Sequence, residues 1–265
     1  MDSIVKGIKM GAEDYLPKPF ERVLLQARIE TCLEKKQLRD REKLHLQQIE
    51  AEKRRADELL HVILPNAIVA ELKATDGVQP RLYQNVAVLF ADVVGFTPLA
   101  ESQPAEVVVT VLNELFTLLT DIVFRHGGTI DKFIGDCVMA VWGAPNPQGD
   151  HAERALLAAE DMMRWVEAAG AGWQARFGVD LQLAIGINSG EAVVGNVGSE
   201  SRMEYTAIGD AVNVAARLEG IARPNQILIT RATRDAAGDG FEYAPVGRRP
   251  VTGRAEPVQL FEVSY

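Results

Sequence analysis

Asp131-Lys132-Phe133-Ile134-Gly135-Asp136-Cys137-Val138-Met139-Ala140-Val141-Trp142-Gly143 reads as a β-hairpin with Gly135-Asp136 at its tip. Lys132-Phe133-Ile134 forms one arm and Cys137 to Trp142 the other. A Gly-Asp pair between two apolar runs marks a turn, because Gly takes positive φ without a Cβ clash. Such a tip carries Asp136 out of the sheet, with Lys132 on the arm that leads to it. Asp also suits a turn for its own sake. The hairpin alone therefore leaves Asp136 either a turn former or a free carboxylate.

Upstream, Val86-Ala87-Val88-Leu89-Phe90-Ala91 is a continuous apolar run, the mark of a strand buried on both faces. It leads into Asp92-Val93-Val94-Gly95-Phe96-Thr97. From Pro104 to Arg125 the spacing is helical, with Val108, Val111, Leu112, Leu115, Leu118, Leu119 and Ile122 on the apolar face, and Gly127-Gly128 stops it. After the hairpin, Asp150 to Ala169 predicts a second helix with Ala155, Leu156, Ala159, Met162, Met163 and Val166 inward. Strands follow at 181–187, 192–197 and 205–207, then a helix over 210–221 and strands at 226–230, 241–246 and 258–263. Strand, helix, hairpin, helix, strand predicts an α/β (α+β) chain with a ferredoxin-like βαββαβ sandwich, extended at its C-terminal end.

Toward the N-terminus, residues 1–12 read as helical, 13–20 as a short strand and turn, and a helix starts near Glu21. Of the 25 residues from 34 to 58, 15 are charged with both signs interleaved, which predicts a long solvated helix continuing from residue 21. Leu46, Ile49, Ala56, Leu60 and Ile63 outline a heptad seam that Glu42 and Lys53 interrupt, so a parallel coiled coil and an exposed single helix both remain open. Pro65 ends this helix, a short helix covers 66–73, and 75–81 is a loop.

Charge divides unevenly. Residues 1–79 hold 14 basic and 14 acidic side chains, and residues 80–265 hold 14 and 23, so the net charge of −9 belongs to the second part. That balance excludes nucleic acid as a partner but admits a polyphosphate if metal ions supply positive charge. Among the 14 basic residues after position 79, Lys132 is the single lysine. An ammonium and a guanidinium do different work, so its place beside the hairpin reflects either function or chance. Cys32 and Cys137 sit in unrelated contexts, as expected for reduced thiols in the cytoplasm. The N-terminus lacks a signal-peptide pattern, and no apolar run is read as long enough to span a membrane.

In the predicted topology Asp92 and Asp136 end neighbouring strands, where two acids can share hard cations. Asn213 and Arg217, four apart, share one helix face among Val212, Val214 and Ala216, either a site or a solvated face. Asp210 is expected to cap that helix.

Three ordered motifs resemble the class III nucleotidyl cyclases over most of residues 59–265. They are Phe90 to Thr97, Lys132-Phe133-Ile134-Gly135-Asp136, and Tyr205-Thr206-Ala207-Ile208-Gly209-Asp210-Ala211-Val212-Asn213-Val214-Ala215-Ala216-Arg217. The resemblance implies an adenylate cyclase that converts ATP to cyclic AMP. In it Asp92 and Asp136, helped by the Val93 carbonyl, bind two Mg²⁺ or Mn²⁺. Lys132 and Thr206 would read the purine, Asn213 orient the ribose, and Arg217 stabilise charge on the α-phosphate. Arg202 is the candidate for the triphosphate, and Phe96 and Thr97 are counted with the substrate-binding residues. Arg254, in Val251-Thr252-Gly253-Arg254, stands near where relatives carry a triphosphate lysine. Metal ligands from one subunit and Asn, Arg and Thr from the other imply a symmetric homodimer, with the charged helix pairing with its twin.

Lys132 can donate to adenine N1, and Thr206 can accept from the 6-amino group. An unpaired buried donor costs about 1–3 kcal/mol, so ATP is expected over GTP. Thr206, where many relatives carry Asp, resembles a subgroup that responds to bicarbonate. The alternatives are a guanylyl cyclase, disfavoured by Lys132, and a non-catalytic nucleotide-binding dimerisation module, disfavoured because both acids and the arginine are kept. Finally, Gly11-Ala12-Glu13-Asp14-Tyr15-Leu16-Pro17-Lys18-Pro19-Phe20 resembles the closing segment of a response-regulator receiver domain, with Lys18 matching a phosphoryl-contacting lysine. The phosphoacceptor aspartate and earlier strands are absent, so no phosphorylation is expected. The domains expected are a receiver remnant at 1–33, a helical linker at 34–79 and a catalytic domain at 80–265, with an upstream receiver or sensor module as a possible partner.

Overall fold

Forty-two consecutive residues without Pro or Gly, Arg22–Ile63, form helix α1 in the computed structural model. The structure describes residues 10–11, 18–19, 21–75, 77–199, 202–251, 254 and 256–265. The expected helix over 1–12 and strand and turn over 13–20 lie almost wholly outside the described residues. By its contacts the chain forms two units, Met1–Ile63 and Leu64–Tyr265. In the first, α1 leaves Leu38, Leu46, Ile49 and Leu59 exposed; Leu46 and Ile49 belong to the expected seam.

The second unit opens with α2 (Asn66–Thr75) and continues through β1 (Arg81–Val93), α3 (Phe96–Ser102), α4 (Ala105–Arg125), β2 (Thr129–Ile134), β3 (Cys137–Trp142), α5 (His151–Phe177) and β4 (Leu183–Ser199). Then come β5 (Arg202–Ile208), α6 (Asp210–Glu219), β6 (Gln226–Thr230), α7 (Arg231–Ala237), β7 (Tyr243–Arg249) and β8 (Val258–Val263). The sheet order is β2-β3-β1-β4-β6-β8-β7, with β5 pairing the far half of β4. The first four strands are the ferredoxin-like set, and the expected C-terminal extension follows them.

β1 sits between β3 and β4, antiparallel to both. Its residues alternate between two cores, as the two-residue period of a strand requires. Ala87, Leu89 and Ala91 join Leu115, Leu119 and Ile122 of α4 and Leu156 and Met162 of α5 in the larger core. Val86, Val88 and Phe90 join Met139, Val141 and Ala215 of α6 on the other face. Asp92 therefore points to the α6 side. Each fully buried aliphatic side chain contributes about 1.5–3 kcal/mol, which makes this central strand a rigid mount for the acid at its end.

Some expectations need correction. The two strands read at 181–187 and 192–197 are one, because β1 runs from Arg81 and supplies partners from Val93↔Leu183 to Arg81↔Val194. Two short helices, α3 and α7, went unread because seven residues hold too little periodicity to register. Thr230 caps α7 by accepting from the Thr233 amide. α4 is long and apolar enough to cross a membrane by length and composition, contrary to the sequence reading. Its Val108, Val111, Leu115, Leu119, Ile122 and Val123 are buried, five of them in the larger core.

Candidate active site

Ile134 pairs with Cys137 across the hairpin, and Gly135 takes φ +64° between them, so Asp136 stands at the tip. Pairing of β3 with β1, down to Ala91↔Val138, brings that tip to the end of β1. The Asp92 and Asp136 carboxyls stand close enough at the ends of neighbouring strands for each to act on the other's charge. Burial first, and then the Asp136 charge, pushes Asp92 up to about 6. Burial raises Asp136 as well. The Cys137 thiol beside them is pushed up by burial and by the acids, so it stays protonated and inert.

A third carboxyl lies within electrostatic range of the pair. Glu219, at the end of α6, is pushed up to about 7 by burial and by the charges of Asp92 and Asp136. Gly186 of β4 makes this approach possible. A Cβ there would stand 2.2 Å from the Glu219 nitrogen and 2.5 Å from the Ala215 oxygen, so α6 rests with its backbone directly on the strand. Sequence reading missed Glu219. It continues the Ala211–Ala215 stripe on the buried face of α6 and places an acid at a helix C-terminus, where the dipole disfavours one.

Two crowded carboxyls are hard oxygen donors suited to a divalent cation, whose charge relieves their mutual repulsion. Among the described residues no group of three or more His, Cys, Asp or Glu side chains is gathered closely enough to hold a metal by itself. Further ligands would be water and phosphate oxygens, the usual habit of Mg²⁺. A pH dependence follows. Asp92 rises from 3.8 to about 6 on folding, so the native state holds more protons than the unfolded one in that window and loses stability as pH rises through it. A cation that binds the ionised pair restores the loss. Mn²⁺ is therefore expected to raise the melting temperature by several degrees at about pH 7.5 and far less at about pH 5; equal shifts would contradict the site.

Helix α6 buries Ala211, Val214, Ala215 and Leu218. Asn213 is exposed and Arg217 half-buried. Neither side chain has a hydrogen bond or ion pair among the described residues. Arg217 lies two residues from both Ala215 and Glu219, about 200° around the helix. With Glu219 turned to the acid pair, Arg217 and Asn213 face away from the acids of their own chain. Asp210 does not cap the helix: Gly209 is the N-cap with no side-chain bond, and the Asp210 carboxylate instead pairs with Arg254.

Lys132 and Thr206 come together at the edge formed by β2 and β5. The Lys132 ammonium donates to Glu204 Oε2 at 2.6 Å and lies 3.7 Å from Asp131 Oδ1. Thr206 Oγ1 donates to Asp131 at 2.8 Å. Arg202, mostly exposed, reaches Glu204 Oε1 at 3.5 Å. Phe96 starts α3 half-buried against the larger core, and Thr97 is exposed beside it. Phe133 stacks on Phe116 of α4 at 4.4 Å, steadying the hairpin arm. Asp131 and Glu204 carried no signal in the sequence beyond their neighbours' motifs, since what they bond lies about 75 positions away.

Residues 78–263 match the family described as the adenylate and guanylate cyclase catalytic domain. Adenylate cyclase 1 of Rhizobium meliloti (strain 1021) is 37% identical over 182 residues, covering 68% of this chain and 27% of that protein. The chain spans under a third of the length of the curated relatives it matches. Among solved structures, the adenylyl cyclase CyaB from P. aeruginosa superposes with a TM-score of 0.68 at 35% identity, over 71% of this chain and 96% of that one. The guanylyl cyclase Cya2 superposes with a TM-score of 0.64 at 37% identity, over 71% of this chain and 93% of that one.

Proposed function

This chain belongs to the adenylate and guanylate cyclase catalytic-domain family, and from that membership we propose that it is an adenylyl cyclase acting as a homodimer. It would form 3′,5′-cyclic AMP and pyrophosphate from ATP. The ribose 3′-oxygen loses its proton and bonds to the α-phosphorus as the bond to the leaving pyrophosphate breaks. Asp92 and Asp136, with the Val93 carbonyl, are the residues that would hold two Mg²⁺ or Mn²⁺, and such ions would supply positive charge to acidify the 3′-hydroxyl and neutralise the leaving group. Asn213 orients the ribose. Arg217 complements the charge that grows on the α-phosphate, an effect of several kcal/mol in comparable sites. Arg202, which is the more exposed of the two and pairs with Glu204, and Arg254, which pairs with Asp210, are the two candidates for the triphosphate, while Phe96 and Thr97 follow the acid strand at the start of α3.

The dimer reading is supported by the orientation of α6. An arginine turned away from the acids of its own chain can complete a site only across a twofold axis. For the substrate, the observation that carries the reading is the Lys132 ammonium set beside the Thr206 hydroxyl. The first can donate to adenine N1, and the second can accept from the 6-amino group. Guanine reverses both requirements. The likeness to Cya2 supports a second reading, a guanylyl cyclase. Purified chain with Mn²⁺ and either ATP or GTP decides between them by the cyclic product formed. We expect ATP to be preferred by about tenfold or more. A GTP preference would reverse the substrate assignment, and no product from either would return the chain to a nucleotide-binding dimerisation module.

Three finer readings belong to the same proposal. Residues 1–33 are a receiver remnant that implies an upstream receiver or sensor module, 34–79 a helical linker and 80–265 the catalytic domain of a cytoplasmic protein. α1 pairs with its twin and sets the angle between the catalytic halves. Thr206 marks a bicarbonate response. In the same assay, a chain starting at residue 59 should lose rate or dimer affinity, and bicarbonate at fixed pH should raise the rate. Unchanged kinetics in either arm would remove the corresponding reading.

A further inference from the structure

The β2–β3 ladder slips between Ile130, which faces Ala140, and Lys132, which faces Met139. Asp131 is thus the extra residue of a β-bulge, a device that re-aims side chains. In a regular strand Asp131 and Lys132 would point to opposite faces; here both reach β5. We propose that Asp131 is a specificity-determining residue, engaging the Thr206 hydroxyl proton so that this oxygen offers a base only lone pairs and the site takes a 6-aminopurine over a 6-oxopurine. The inference rests on the reading above that Lys132 and Thr206 face the purine.

The geometry dictates the direction of each bond. The Asp131 side chain is 4% exposed. The Ala207 amide donates to its Oδ2 at 2.8 Å, and the Lys132 ammonium stands 3.7 Å from Oδ1. An amide and an ammonium can only donate. Burial and, less, the Glu204 charge raise the Asp131 carboxyl, while the Ala207 amide, the Thr206 hydroxyl and the Lys132 ammonium all present protons to its oxygens and favour the charged form. An ionised carboxylate can only accept. Thr206 must then commit its single proton to Asp131, at 2.8 Å from Oδ1 and 3.0 Å from Oδ2. The other acceptor in reach, the Ala207 carbonyl at 3.5 Å, is too long to compete. Lone pairs are what Thr206 has left. An exocyclic amino group satisfies them, whereas a 6-oxo group sets acceptor against acceptor and leaves both unpaired. Lys132 keeps Glu204 as its own partner at 2.6 Å, so its reading of ring N1 does not depend on Asp131.

Asp131→Asn tests this. Its amide oxygen can keep the Ala207 N–H while its NH₂ donates to Thr206, which reverses the bond and frees the hydroxyl proton to meet a 6-oxo group. The ratio of kcat/KM for ATP to that for GTP is expected to fall about tenfold, with the remaining preference due to Lys132. A merely structural defect lowers both substrates alike and leaves the ratio unmoved. Should the Asn variant fail to melt cooperatively, Asp131→Ala removes the acceptor, frees the hydroxyl to rotate and predicts a fall in the same direction. An unchanged ratio in a folded variant overturns the proposal. Thr206→Val, measured alongside, separates the two levels. If it leaves the ratio unchanged, the base-reading role of Thr206 fails. If it lowers the ratio while the Asp131 variants do not, only the role of Asp131 fails. In the Thr206→Val background, Asp131→Asn should change the ratio no further.

Discussion

Asp92→Ala and Arg217→Ala are each expected to cut cyclic nucleotide formation by about a thousandfold, since each removes charge complementarity that the transition state needs. Their mixture is more telling than either alone. Neither side chain belongs to the core, Asp92 being half-buried and Arg217 partly exposed, so both variants should fold and pair. In a mixed dimer one site lacks both the acid and the arginine, while the other draws an intact acid pair from one chain and an intact Arg217 from its mate. Random pairing makes half the dimers mixed with one working site each, so an equal mixture should recover about a quarter of the unaltered rate. The measurement is product formation at matched total chain, with dimerisation confirmed by sedimentation. Retained turnover in either single variant would refute its assigned role. A mixture that dimerises and stays inactive would mean that the two groups act within one chain, against the outward orientation of Arg217 on α6.

Gly186→Ala should produce a large loss of stability from the addition of one methyl group. The added methyl would meet main-chain atoms of α6, at 2.2 Å from the Glu219 nitrogen and 2.5 Å from the Ala215 oxygen. Backbone cannot rotate aside as a flexible side chain does. The helix must lift off the strand, at a cost of about 2–3 kcal/mol. For a domain of this size that is a fall of roughly 5–10 °C in melting temperature. Because α6 carries Asn213 and Arg217, the same displacement should lower kcat in whatever fraction remains folded. Gly149→Ala is the control, since a Cβ there meets nothing within 4 Å. Melting curves of the two variants decide the matter: a Gly186→Ala curve overlying that of the control would mean that the contact between α6 and β4 is looser than the structure has it.

Much of the site was legible because its signals are local. An apolar strand that ends in an acid, as Phe90-Ala91-Asp92 does, announces a carboxylate at the end of a buried strand. A Gly-Asp tip between apolar arms announces a second. Asn213 and Arg217 are legible from their four-residue spacing, which the helical period converts into a shared face. Where a reading failed, the determining contact was distant in sequence. Asp210 has every local qualification for an N-cap, yet its carboxylate pairs with Arg254, 44 positions on. Residues 188–191 resemble a break between strands, but the partner strand continues past them and holds the ladder together.

Periodicity and turn chemistry in this chain determined the longer strands and helices apart from α3 and α7, the placement of Asp92 and Asp136 at strand end and hairpin tip, and the outward face of α6. These depend on neighbours within a turn or a hairpin, and a linear sequence displays them directly. Tertiary structure alone decided that Glu219 comes within electrostatic range of the acid pair, that Gly186 admits α6 at backbone distance, and that a bulge turns Asp131 onto Thr206. Each depends on the separation and the hydrogen-bond direction of groups that meet only after the sheet has closed, and no spacing along the chain encodes either.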